Sequence, residues 1–411
     1  MPTCGISARA ATCPLTCIAM VAWIEGGCVG TKLDGVGPSR DTAAPAPHAV
    51  ELHGCSHAHT AALAIGGQTL SVKVDTGSTT LAVSAAGCIS CERAGVTELY
   101  DTTHGVDRGL AVSTTYGTGS SGWVGEVYQD AVDLGPGLEA VPDFVAVSDQ
   151  TSLFGIRYCD TEGEYTHIDG ILGLGPAQLL VEGTSSYLTG MAAGAVLPES
   201  IAIRLCHEGG TLWFGGYDAS QLTGDMQWTS LRSVWGDDIG VTGLEVLQSD
   251  GVRTAIPVSE ERESLPALLD SGFMGMSLPS AAYSRVTSAI DGDPAFTALG
   301  DAGWWDGEGT TLTTSPAEID AALPRLLVDV AGSELLQLSL PATESYVQWL
   351  YTEDHGAYQY VPNLFDSADY PNLPSDFLDL GNLPMYSYVT YIDRENMQVG
   401  FAPAVPCEDE E

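Results

Sequence analysis

"VKVDTGSTTLAV", residues 72–83, ends an apolar run on one carboxylate, Asp75, and follows it at once with Thr76 and Gly77. An ionised carboxylate is so costly to bury alone that it neutralises, finds hydrogen-bond donors or does chemistry. The pattern occurs twice. Residues 265–279, "LPALLDSGFMGMSLP", lead apolar side chains into Asp270 and then into Ser271 and Gly272, 195 positions further along. Each unit is followed by an apolar segment closing on glycine, "DGILGLG" at 169–175 and "DFLDLGNLP" at 376–384. The chain therefore carries a weak internal duplication.

Two apolar-Asp-[Thr/Ser]-Gly units on two similar halves predict a two-lobed molecule whose carboxylates, Asp75 and Asp270, meet at the junction. Like charges a few ångströms apart cannot both stay ionised, so the pair shares one proton over a broad pH range. One member takes a proton from a bound water while the other, protonated, donates to a substrate carbonyl oxygen. That scheme hydrolyses a peptide bond with no cofactor, no metal and no covalent intermediate. Gly77 and Gly272 leave room for backbone N–H groups to reach the carboxylates. Thr76 and Ser271 can tie each loop across to the opposite lobe through their hydroxyls, and Ser78 can donate to the outer oxygen of Asp75.

Around these landmarks the chain reads as all-β in the main. Short runs such as "TLSVKV", "SIAIRL" and "YSYVTYI" are separated by glycines and turn residues. Helices are predicted only at Pro279–Ile290 and, more briefly, at Pro316–Leu323.

From about residue 50 to Cys407 the sequence resembles the pepsin family (A1) of aspartic endopeptidases. The resemblance rests on "VDTGS" (74–78), "LLDSG" (268–272), "YGTGS" (116–120) and "DGILGLG", with "GGTLWFGGYDASQLTGDMQW" (209–228) and "YVTYIDRENMQVGFAPA" (388–404). It implies a bilobal pepsin-like fold, two related β-barrel-like lobes with a cleft between them that binds an extended polypeptide. It also implies a flap carrying Tyr116, Gly117 and Thr118 that closes over that polypeptide. The beta-secretase (memapsin) branch is similar in flavour: "DTGSTTLAVSAAG" carries Ala82 where pepsin-like members carry tryptophan, and "SIAIRLC" and "FAPAVPC" echo the same branch. In that branch the cysteines matching Cys206 and Cys407 are bonded to each other, and the same disulfide is expected here.

Three departures bear on the chemistry. Phe273 stands where a hydroxyl residue usually supports the second aspartate, so Asp270 loses a donor and the pair is expected to stay protonated to a higher pH. The alternative is that the ring blocks the site, leaving a catalytically silent relative that binds polypeptide in the cleft. Trp123, seven residues beyond Tyr116, either replaces the indole missing at Ala82 or is an ordinary half-buried aromatic. The segment after Gly381 lacks the acidic residue that often follows this glycine.

Composition narrows the partners. Against 14 Lys and Arg stand 54 Asp and Glu, a formal net charge of -40, which repels nucleic acid and anionic membrane surfaces. Such acidity reads either as solubility in a salty medium or as work at low pH, where carboxylates are protonated. Residues 1–28 read as a signal peptide or lipoprotein signal, with Cys28 as a lipid site and the only membrane contact. Residues 29–47 read as a flexible linker. With only Lys32 and Arg40 for basic residues, it predicts no inhibitory propeptide and activity gated by pH. The N-terminal lobe is assigned to 48–200, the C-terminal lobe to 201–407 and an acidic tail to 408–411, in an extracytoplasmic monomer.

Beyond the signal and Cys28, six cysteines remain, an even number that suggests three disulfides. The pairing of Cys55, Cys88, Cys91 and Cys159 stays open, and the C-x-x-C at 88–91 is at most half of a zinc site.

Overall fold

In the strand Gln68–Asp75 the side chains alternate as a pleat requires. Val72 and Val74 are buried in the main apolar core, while Lys73 and Asp75 belong to the opposite face. The charge at the end of the apolar run is thus anchored by the residues on either side of it. The structure, a computed structural model, describes residues 46–55, 58–117, 119–158, 165–195, 197–232, 236–299, 304–307, 309–332, 336–352, 357–370 and 374–407. The signal segment, Cys28, nearly all of the linker, Thr118, Cys159 and the acidic tail lie outside the described residues.

The duplication in the sequence is also a duplication of strand pairing. Gly170–Gly173 pairs in parallel with Gln68–Asp75, bringing Gly173 level with Asp75, and antiparallel with Leu81–Ser84. Gly173 has to be glycine, because a Cβ there would lie 2.4 Å from the carbonyl carbon of Thr79. In the second half Leu378–Asp379 pairs in parallel with Leu265–Leu268 and antiparallel with Met276–Leu278. Each half therefore slots a late strand between the strand entering its Asp-[Thr/Ser]-Gly loop and the strand leaving it. Both arrangements rest on fully buried aliphatic side chains, among them Leu81, Val83 and Leu172 in the first half and Leu269, Leu278 and Leu378 in the second.

One large sheet links the two lobes. The strand His48–Cys55 pairs with Glu208–Phe214, which pairs with Ser200–Leu205, then Tyr388–Asp393, then Gln398–Pro403. The first strand, the middle of the chain and its last hairpin thus close on one another in a mainly β, bilobal architecture. Arg394, from that hairpin, is 8 % exposed and donates through Nε to the buried carboxylate of Asp237 (3.0 Å). A terminal nitrogen of Arg394 also donates to the carbonyl of Leu174, linking three distant parts of the chain.

The two predicted helices form at Ser280–Asp291 and Pro316–Ala322, the latter closed by a capping box between Ser315 and Glu318. A third, Tyr187–Ala195, has no signal in its sequence, since Gly190 and Gly194 lower its helix propensity. Burial of Tyr187, Leu188 and Met191 against the first-lobe core overrides that preference. Trp304 is a core residue packed edge-on against Phe296, and Trp305 stacks on the same ring.

Cys206 and Cys407 form a disulfide with Cα atoms 5.9 Å apart. Cys88 and Cys91 pair with each other across one turn, so both sulfurs of the C-x-x-C are committed to a covalent bond. Cys55 is disulfide-bonded as well. No helix among the described residues is long and apolar enough to cross a membrane.

Candidate active site

The two Asp-[Thr/Ser]-Gly loops clasp each other reciprocally. Thr76 N–H donates to Ser271 Oγ (3.0 Å) and Ser271 N–H donates to Thr76 Oγ1 (2.9 Å). Each hydroxyl then donates onward to a carbonyl of the other loop, Thr76 to Leu269 (2.7 Å) and Ser271 to Val74 (3.0 Å). All four bonds are buried, where satisfied polar groups rigidify and unsatisfied ones are costly.

The clasp sets Asp75 and Asp270 against each other, each carboxyl group close to the glycine of the opposite loop. The approach is as close as glycine permits. A Cβ on Gly77 would lie 2.2 Å from Asp270 Oδ2, and one on Gly272 would lie 2.3 Å from Asp75 Oδ1. The donors are distributed unequally. Asp75 receives the N–H of Gly77 at Oδ1 (2.9 Å) and the hydroxyl of Ser78 at Oδ2. Among the described residues Asp270 receives only the backbone N–H of Gly272 (2.7 Å). Burial pushes the Asp270 carboxyl well above the ordinary carboxylate range, and the charges of Asp75 and Asp379 push it the same way.

Phe273 supplies no donor, but its ring leaves the carboxylates close together. It turns instead toward Phe365 (ring centroids 5.8 Å) and Tyr370 (6.2 Å).

Over this floor stands a hairpin, Val106–Tyr116 with Ser121–Gln129, whose tip reverses at Gly117 with φ +53°. Trp123 pairs with Thr114, one diagonal from Tyr116, and its indole N–H donates to the Tyr116 hydroxyl (3.1 Å). Burial, and then the charge of Asp75, push the Tyr116 phenol up. Trp123 thus donates to Tyr116 on the hairpin, and Ser78 donates to Asp75 on the floor beneath it. Replacing Tyr116 by Phe removes the bond from Trp123 and leaves the ring packing. The expected loss is about tenfold in kcat/KM, from about 1–1.5 kcal/mol, with an unchanged melting temperature; steady-state kinetics beside a thermal melt checks it.

Two residues of the site escape the sequence reading. Asp379, in the strand between the second loop's two arms, is 5 % exposed and accepts the N–H of Gly381 (2.8 Å). Lys73 donates from Nζ to the carbonyl of Gly272 (2.7 Å). The only signal for either was the one that drew attention to Asp75, a charge set in an apolar strand. Of the three histidines in residues 53–59, His59 is buried on the carbonyl of Cys206 (2.9 Å), His53 is exposed, and His57 lies outside the described residues.

A bilobal β fold that holds two acid groups close together between its halves, beneath a tyrosine-bearing hairpin, defines the class of pepsin-like acid proteases. A family model for eukaryotic aspartyl proteases matches residues 59–404. The chain belongs to this family and is an aspartic endopeptidase, a hydrolase of peptide bonds. An aspartic protease of Phaffia rhodozyma is 28 % identical over 350 residues, covering 84 % of this chain and 76 % of that protein. Pepsin A of Canis lupus familiaris is 25 % identical over 352 residues, 82 % of this chain and 78 % of the pepsin. A beta-secretase of Strongylocentrotus purpuratus is 26 % identical over 367 residues, 82 % of this chain and 64 % of that protein.

Proposed function

We propose that this is an exported endopeptidase in which Asp75 and Asp270 act as one acid–base pair on a polypeptide held between the lobes, with its optimum in mild acid. The observation that carries the reading is the close approach of the two carboxyl groups across Gly77 and Gly272, held by the reciprocal Thr76–Ser271 clasp. With the fewer donors and a raised pKa, Asp270 keeps the shared proton, which leaves Asp75 as the base. Asp75 takes a proton from water as its oxygen attacks the peptide carbonyl carbon, and Asp270 passes its proton to the carbonyl oxygen. The resulting gem-diol collapses with cleavage of the C–N bond as the proton on Asp75 moves to the leaving amine and one gem-diol hydroxyl returns its proton to Asp270, which regenerates the pair. No charged intermediate has to leave the site.

One chain supplies both halves of the pair, so activity needs no second subunit. The disulfides Cys88–Cys91 and Cys206–Cys407 support an oxidising compartment. The reading is tested by incubating the protein with an unfolded substrate across about pH 3 to 7, with and without a statine-type transition-state analogue. Cleavage that the analogue abolishes is expected; tight analogue binding without cleavage would instead mark a silent binder.

Phe273 offers a finer test. Phe273→Thr restores a hydroxyl beside Asp270, favouring its ionised form, and so shifts the alkaline limb of the kcat/KM profile to lower pH by about half to one unit. An unmoved limb would mean that the missing donor does not set the pH range.

A further inference from the structure

The chain has 14 Lys and Arg residues against 54 acids, yet one of those cations, Lys73, lies beside the carboxylate pair. Lys73 lies two positions before Asp75 on one strand, so pleating sends both side chains to the same face. Its ammonium is bound to the carbonyl of Gly272 (2.7 Å). A Cβ on that glycine would touch both carboxylates, 2.3 Å from Asp75 Oδ1 and 3.0 Å from Asp270 Oδ1.

Its register partners are Thr60 on one side and Ile171 on the other. Ile171 provides an apolar wall, as part of a cluster with Trp123, Phe154 and Ile168, against which the half-buried Tyr116, Val112 and Leu153 pack. Arg157 is held beside this cluster by the carbonyls of Ile156 (3.1 Å) and Leu153 (3.2 Å). Its charge acts on Lys73 in the same sense as burial, lowering the pKa of the ammonium, while Asp75 and Asp270 raise it. Neither cation makes an ion pair among the described residues, and the ammonium uses one of its three donors on Gly272.

We propose that Lys73, assisted by Arg157, forms a subsite that selects an acidic side chain of the polypeptide next to the scissile bond. The proposal rests on the peptidase reading of the same cleft. A glutamate laid there sets its methylenes against the apolar wall and gives its carboxylate a charge-assisted hydrogen bond. An aliphatic side chain covers the ammonium without pairing it, which is the unfavourable case for a desolvated charge. The selectivity is local, since the protein's net charge of -40 repels acidic peptides everywhere else.

The test uses peptides identical except for Glu, Gln or Leu at each of the two residues flanking the cleaved bond. A matching set of statine-containing peptides is assayed for binding alone. In the wild-type protein Glu is expected to exceed Gln at one flanking position by about 10- to 100-fold in kcat/KM and in affinity. Lys73→Met should abolish that ratio and favour Leu, and Arg157→Gln should reduce it. Equal treatment of Glu and Gln by the wild-type protein, or an unchanged ratio in a folded Lys73→Met variant, overturns the subsite. The two readings fail separately. Peptides cleaved without acidic preference leave a peptidase and remove the subsite, while Glu-selective statine binding with no cleavage keeps the subsite and removes the peptidase.

Discussion

Asp75→Asn is expected to lower kcat by about 10⁴-fold or more, with KM for a peptide substrate changed little. An amide matches the carboxylate in size and keeps an oxygen for the Gly77 N–H, so the loop and its clasp persist. In the proposed mechanism the lost group is the base that takes a proton from water, and Asp270, which holds the shared proton, does not replace it. The magnitude separates this role from structural ones. Loss of a single supporting bond, such as that from Ser78, costs about 1 kcal/mol, roughly fivefold. Single-turnover kinetics with a quenched peptide, beside a melt confirming the fold, reads the difference. Activity within tenfold of wild type would remove Asp75 from the reaction. Gly272→Ala offers an independent route to the same loss, since its methyl would occupy space 2.3 Å from Asp75 Oδ1 and force the carboxylates apart.

How much of this was legible in sequence depends on the kind of signal each residue left. Asp75 and Asp270 stood out because each ends an apolar run, and the repeat turned two weak motifs into one strong pattern. The strands that slot between the arms of each loop were legible through their glycines, which close contacts such as that of Gly173 with Thr79 require. Trp123 left two readings open, because a β-hairpin aromatic looks the same whether or not its indole N–H has a partner; the diagonal pairing with Tyr116 decides it. Lys73 was hidden by its own regularity, since a polar residue alternating with Val72 and Val74 is what any half-exposed strand presents. Only the second loop arriving from 199 residues away makes its position unusual. The Cys88–Cys91 bond was similarly beyond reach, because four cysteines admit three pairings and spacing alone ranks none of them.

The protein should lose stability as pH rises from about 4 to above 8, and Asp379 should account for a distinct part of the loss. Burial pushes its carboxyl up to about 8, the nearby charges of Asp75 and Asp238 adding to the effect and the Gly381 N–H opposing it. In the unfolded chain the same group titrates near the ordinary value of about 3.9. Between those values the native state binds the extra proton, so the slope of unfolding free energy with pH is negative. The contribution is complete below about pH 4 and disappears as pH climbs through the folded value, a change on the order of a few kcal/mol. Asp270 acts in the same direction for the same reason. Mutual repulsion among 54 acidic side chains also weakens the fold as they ionise, but that repulsion is long-range and is screened by salt. The buried group is not. Asp379→Asn keeps an acceptor for Gly381 and has no proton to lose, so the variant's denaturant midpoint should fall less steeply with pH. Wild type and variant should then diverge between about pH 5 and 8 at high ionic strength, the variant being the more stable at the upper end. Parallel curves over that range would mean that Asp379 stays protonated throughout, or that its burial is relieved by water.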